Sequence, residues 1–125
     1  MTTDSAAGAS RAAAIAALDR LIHEPARLMI VTVLATVAEA DFVYLVRETG
    51  LTKGNLGAHL VRLEAAGYLE IEKTFHGRVP RTVCRLTDGG LAAYRTYRDA
   101  LRRTADELPE GPASSAQKGL DVERG

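Results

Sequence analysis

The residues with chemistry to offer in this chain are cations and amides rather than nucleophiles. Lys53, Arg62, Arg78 and Arg81 carry fixed positive charge, and His76 stands beside the last two. Asn55 lies between Lys53 and Arg62, and its amide has the geometry to pair bidentately with adenine in a major groove. Thr52, Lys53 and the helix N-terminus they open suit phosphate oxygens. Gly54, Gly57 and Ala58 are nearly bare of side chain, which permits close approach of a large partner. Two segments therefore form one candidate contact set. The first holds Thr52, Lys53, Gly54, Asn55, Gly57, Ala58, His59 and Arg62, and the second holds His76, Gly77, Arg78 and Arg81.

Catalysis has little support. The sequence contains no P-loop, no GxSxG and no HExxH, and no carboxylate pair stands in an apolar setting. The expectation is a protein that is not an enzyme. His23, His59 and His76 fall on separate elements without ligand spacing, so neither a metal nor a cofactor is expected. Cys84 is the only cysteine, which rules out a disulfide within the chain and fits a reducing compartment. On an inner strand face it is also a poor redox sensor.

The formal net charge is zero, which at first argues against a nucleic-acid partner. The average hides a segregation. Residues 1–50 carry four basic and six acidic groups, and residues 51–86 carry six basic and three acidic. Residues 87–105 hold four basic and two acidic, and residues 106–125 hold two basic and five acidic. The middle of the chain is locally positive, and local field decides whether phosphate is attracted.

At 125 residues one small domain is the prior, and 46% hydrophobic residues suffices for one core. The N-terminus lacks the basic start of a secretory signal, and the longest nearly apolar run, Leu28 to Ala38, is too short to span a bilayer. A cytoplasmic protein without a membrane partner is expected.

The elements that must position the candidate residues follow from periodicity and caps. Residues 1–9 are expected to be disordered. Ser10 opens a helix to Ile22, with Ile15, Leu18 and Ile22 as a narrow apolar stripe. Pro25 suits the first turn of a second helix to about Ala38, apolar nearly all round and so central to the core. Asp41 caps a third helix, which Gly50 ends in a left-handed conformation. Thr52 caps a fourth, over residues 52–66, with Leu56, Leu60 and Leu63 buried. Alternation from Tyr68 to Phe75, with Leu69, Ile71 and Phe75 on the inner face, predicts a strand. His76 to Arg81 forms a turn-rich tip and Thr82 to Leu86 the return strand, a hairpin within residues 68–87. Thr87 caps a last helix, residues 88–108, with Leu91, Tyr94, Leu101 and Leu108 in line. Residues 109–125 read as a disordered tail.

The third and fourth helices meet the demands of a helix-turn-helix: a compact glycine turn, an apolar Leu51 within it, and apolar facing sides. The GxxG of residues 54–57 also occurs in KH domains, but a helix cap precedes it and Leu56 continues the helical period. The stretches LIHEPARLMIVTVLA, ADFVYLVRETGLTKGNLGAHLVRLEAAGYLEIEKTFHGRVPRT and CRLTDGGLAAY resemble the winged-helix transcriptional regulators related to the MarR and ArsR groups, in the compact single-domain subgroup. The resemblance covers roughly Leu18 to Tyr97, and LxxHLxxLxxAGYLE followed by a hairpin is its most specific part. It implies a homodimeric DNA-binding transcription factor and a short strand near Ala40–Phe42 that joins the hairpin. Metal-sensing relatives carry a cysteine pair in the helix before the recognition helix. Here that helix reads DFVYLVRE, so metal sensing does not carry over.

The expected fold is mainly α with a small β-hairpin (α+β): a winged helix-turn-helix over residues 10–108 with extra N- and C-terminal helices. The expected function is sequence-specific regulation of transcription, as a repressor, through binding of double-stranded DNA. Ile15, Leu18, Ile22, Leu91, Tyr94, Leu101 and Leu108 would pair two copies into a homodimer. The rival reading is a winged helix that binds proteins rather than DNA, which the acidic stretch beyond Asp106 allows. The sequence leaves room for a small-molecule effector and names none.

Overall fold

Pro25 starts the first long helix, and the residue before it closes that helix's N-terminus. Glu24 is the N-cap of α1 (Pro25–Val37), its carboxylate accepting from the amides of Ala26 and Arg27 at 3.2 and 3.0 Å. The Arg27 amide above all holds the Glu24 carboxyl below its usual range. The computed structural model of the chain describes residues 12–112, so Ser10, the expected disordered residues 1–9 and the tail beyond 112 lie outside it.

After α1 the chain forms β1 (Glu39–Asp41) and α2 (Phe42–Thr49), and Gly50 turns it at φ 71°. Then come α3 (Lys53–Ala65), β2 (Leu69–His76), β3 (Val79–Leu86) and α4 (Asp88–Glu107). Each of α2, α3 and α4 begins with a polar cap bound to the amide three residues on: Asp41 to Tyr44, Thr52 to Asn55, Thr87 to Gly90. These caps satisfy donors that a helix start leaves free, each contributing about 1 kcal/mol.

The three strands form one antiparallel sheet in the order β1-β3-β2. Ala40, Cys84 and Ile71 lie in register across it and face the core. Ile30, Val31 and Leu34 of α1, Leu45 of α2 and Leu56, Leu60 and Leu63 of α3 close over that face. Leu45 and Leu56 are fully buried, so the two helices of the glycine turn meet through their apolar sides. This is the expected α+β winged helix-turn-helix architecture.

Four local expectations are corrected. The N-terminal helix does not run to Ile22: the chain is helical over residues 12–16 and then turns. Asp19 forces the turn, because its Oδ1 accepts from the amides of Leu21 and Ile22 while its Oδ2 accepts from the Tyr68 hydroxyl at 2.6 Å. The hairpin tip is shorter than expected, since β2 and β3 pair out to His76 and Val79 and leave only Gly77 and Arg78 in the turn. Phe75 is 68% exposed rather than buried. It lies four residues beyond Ile71, about 13 Å along the strand and past the end of the core.

The fourth correction concerns the stripes assigned to a partner copy. Leu18 and Ile22 are buried within the chain against Tyr97, with Leu101 beside them. Tyr94 packs on the main core. Asp19 brings this about, by folding the N-terminal segment back onto α4 and removing its apolar side from the surface. Ile15 and Leu108 stay exposed, and Leu91 is partly exposed.

Candidate nucleic-acid interface

Helix α3 buries one side and leaves the other bare. Leu56, Leu60 and Leu63 are the buried side. Lys53, Gly54, Asn55, Ala58, Val61 and Arg62 are exposed, and Gly57 is half-buried. A Cβ built on Gly54 or Gly57 would meet nothing within 4 Å. The outward face is therefore shallow and open, with Thr52 and the first-turn amides at one end. Those amides carry the positive end of the helix dipole.

The cations around this face keep their charge available. Among the described residues Lys53, Arg62 and Arg78 enter no ion pair. Arg78 sits in the hairpin turn beside Gly77 at φ 65°, and His76, Gly77 and Arg78 are all exposed. The structure thus brings His76, at the end of β2, together with Gly77 and Arg78 of the turn at the hairpin tip. It gathers Thr52, Lys53, Gly54, Asn55, Ala58 and Arg62 on one open helix face.

Two candidates are placed differently. His59 turns inward, its Nδ1 3.3 Å from Arg27 Nη1 and 3.8 Å from Glu24 Oε2. An arginine only donates, so Nδ1 accepts there. His59 thus joins α3 to the start of α1. Arg81 is tied to Asp41, its Nε donating to Oδ2 at 3.3 Å. That pairing cancels much of the charge a phosphate would feel.

Arg27 was missed from the sequence. It is 8% exposed, and its Nε donates to the Leu21 carbonyl at 2.6 Å. The signal was present: a lone arginine in the apolar run LIHEPARLMIV needs internal partners to be buried. Arg85 was also unassigned. It lies on the outer face of the sheet with Glu39 and Glu72 each at 3.2 Å and Glu70 at 3.8 Å. One arginine against three carboxylates leaves this part of the sheet face net negative, so the exposed positive charge of the wing lies at the hairpin turn.

Cys84 is fully buried, and burial pushes its thiol up to about 11. At neutral pH it holds its proton and lacks thiolate reactivity. The described residues contain no group of three potential metal ligands. No helix among them is long and apolar enough to cross a membrane.

Comparison with known proteins is consistent with this geometry. The sequence profile of the winged helix DNA-binding domain family matches residues 26–105. An uncharacterized protein of Methanocaldococcus jannaschii is 33% identical over 79 residues, 62% of this chain and 85% of that one. Among solved structures, a transcriptional regulator homologue of Pyrococcus horikoshii superposes with a TM-score of 0.67 at 31% identity, over 70% of this chain and 87% of that one. The PcaV transcriptional regulator of Streptomyces coelicolor, solved with its natural ligand, gives a TM-score of 0.62 at 20% identity, over 94% of this chain and 82% of that one.

Proposed function

The chain belongs to the winged helix DNA-binding domain family, whose fold is that of transcription regulators, and from that premise we propose that it is a sequence-specific repressor acting as a homodimer. The observation that carries this reading is the open face of α3, bare at Gly54 and Gly57, beside cations that have no carboxylate partner among the described residues. A narrow, small-residue face fits into a major groove more closely than a crowded one. Asn55 reads a base edge there, while Thr52, Lys53, Arg62 and the helix N-terminus hold the backbone. His76, Gly77 and Arg78 reach phosphate or the adjoining minor groove.

The dimer reading now rests on fewer residues than the sequence suggested. Ile15 and Leu108 are exposed at 44% and 47%, on the two segments that pack together through Leu18, Ile22 and Tyr97. Their pairing across a two-fold axis would set two copies of α3 on half-sites about 34 Å apart. Occupying an operator excludes other proteins from it, so repression needs nothing beyond binding. The site of action is then the cytoplasm, and a small-molecule effector would act by shifting the relation of the two copies.

A titration of labelled duplex at several salt concentrations tests this. With about three phosphates engaged per protomer, the log–log salt slope of the dimer is near −5. Arg78→Ala weakens binding to every sequence and flattens the slope by about 2, one phosphate lost per protomer. Asn55→Ala instead relaxes preference at one base pair per half-site, by about 1–3 kcal/mol. An unchanged slope for Arg78→Ala sinks the wing assignment. No salt-sensitive binding at micromolar protein sinks DNA binding and favours the protein-interaction module.

A further inference from the structure

The carboxylate of Asp41 does two jobs at once. Asp41 is the last residue of β1 and the N-cap of α2. Its Oδ1 accepts from the Tyr44 amide at 2.8 Å and its Oδ2 from Arg81 Nε at 3.3 Å. One side chain thus joins the first helix of the helix-turn-helix to the hairpin.

The position of that joint matters. β1 is three residues long and pairs with β3 only at Val83, Cys84 and Arg85. From Thr82 outward, β3 has β2 as its only strand neighbour. A two-stranded ribbon twists more than a sheet and is marginal by itself. The Arg85 ion pairs all lie at the β1 end of the hairpin. Among the described residues, the Arg81–Asp41 pair is the ion pair farthest toward the tip, and Arg78 lies three residues beyond it. The direction in which Arg78 points therefore depends on how the outer hairpin is held.

We propose that Asp41 is a positioning residue for DNA binding: it fixes the wing against the helix-turn-helix through Arg81 and so aims Arg78. The proposal rests on the DNA-binding reading above. It gives Arg81 the role of a strut rather than a phosphate contact. Side-chain exposures of 42% for Arg81 and 30% for Asp41 make this a modest, tunable tie.

Asp41→Asn separates the two jobs, because asparagine caps a helix as well as aspartate but carries no charge. Simple electrostatics predicts that removing a negative charge and releasing Arg81 tightens DNA binding. The strut predicts the opposite sign: binding weakens about twofold to fivefold, because the wing must be ordered on binding, while Arg78 still reaches phosphate in the complex and the salt slope stays unchanged. Arg81→Gln gives a similar loss, also without a change of slope, and the double variant loses no more than either single one. In the protein without DNA, Asp41→Asn speeds amide exchange over Thr74–Arg81 while the Tyr44 amide stays protected.

Tighter or unchanged binding by Asp41→Asn overturns the proposal, as does additive loss in the double variant or unchanged exchange in the wing. A flatter salt slope for Arg81→Gln overturns it too, by making Arg81 a phosphate contact. If the unaltered protein binds no duplex, the DNA-binding reading falls and this role falls with it. If it binds and Asp41→Asn binds as well, only the role falls.

Discussion

Helices α3 and α4 open with nearly the same words. Thr52 is followed by KGNLG and Thr87 by DGG, and in each case the threonine hydroxyl accepts from the amide three residues on. Each helix then carries two glycines in its early turns, at about 1 kcal/mol apiece against alanine in a helix interior. In space the pairs have opposite reasons. A Cβ on Gly90 would stand 1.9 Å from the Tyr68 carbonyl oxygen and 2.7 Å from its carbon. Around Gly54 and Gly57 there is only open space. Gly90 lets α4 dock on the start of the wing, where the Thr87 amide donates to the Tyr68 carbonyl and the Thr87 hydroxyl to that of Gly67. Nothing among the described residues offsets the cost at Gly54 and Gly57. A glycine kept against propensity and unused by its own fold points outward, to a complex.

The comparison breaks first at Gly90. Gly90→Ala must move either the backbone of Tyr68 or the start of α4, since no flexible side chain is there to yield. Overpacking of this kind costs about 3 kcal/mol. For a domain of this size that lowers Tm by roughly 10–20 °C in a thermal melt followed by circular dichroism. An unchanged melting temperature would show that the two glycine pairs are not opposites.

What was legible in the sequence follows the same divide between near and far partners. Gly50, Thr52 and Thr87 were readable because a cap or a left-handed turn is decided within three or four residues. The buried sides of α2 and α3 were readable from period alone. The third strand came only through the family resemblance, since three residues carry no period of their own. The misreadings share a cause. His59 is held by Arg27, Arg81 by Asp41 and Tyr68 by Asp19, at sequence separations of 32, 40 and 49. In each case a polar residue with an innocuous local role was claimed by a distant partner. Arg81 therefore reads as a free surface group, His59 as an edge residue open to either packing or a phosphate contact, and the stretch around Asp19 as continuing helix.

Gly57 sharpens the comparison with a change of opposite sign in two measurements. Among the described residues, the Cβ that Gly57→Ala adds meets nothing outside its own helix turn within 4 Å, and the change improves helix propensity, so stability rises by about 1 kcal/mol. The same methyl stands on the face proposed to enter the groove, so the expected affinity for specific duplex falls. Gly57→Leu extends the side chain farther and raises Kd about tenfold, close to 1.4 kcal/mol. A stabilised variant that binds DNA undiminished would mean that this face does not touch DNA.

The smallest effect is expected at Gly89, the neighbour that separates the two explanations most finely. Its added Cβ would lie 3.7 Å from the Thr87 hydroxyl and 3.9 Å from the Gly67 carbonyl, ordinary contact distances. Gly89 has neither the closed surroundings of Gly90 nor a place on the face assigned to DNA. Gly89→Ala should therefore leave DNA binding unchanged and stabilise the fold by at most about 1 kcal/mol, the propensity gain alone. That gain is reduced by its place in the first turn, where the helix constrains the backbone least. Loss of stability at Gly89 would mean that the Thr87 dock tolerates no bulk at all. Loss of affinity would extend the DNA surface to the start of α4. With neither, Gly90 is left as the glycine that the fold requires and Gly57 as the one that a partner requires.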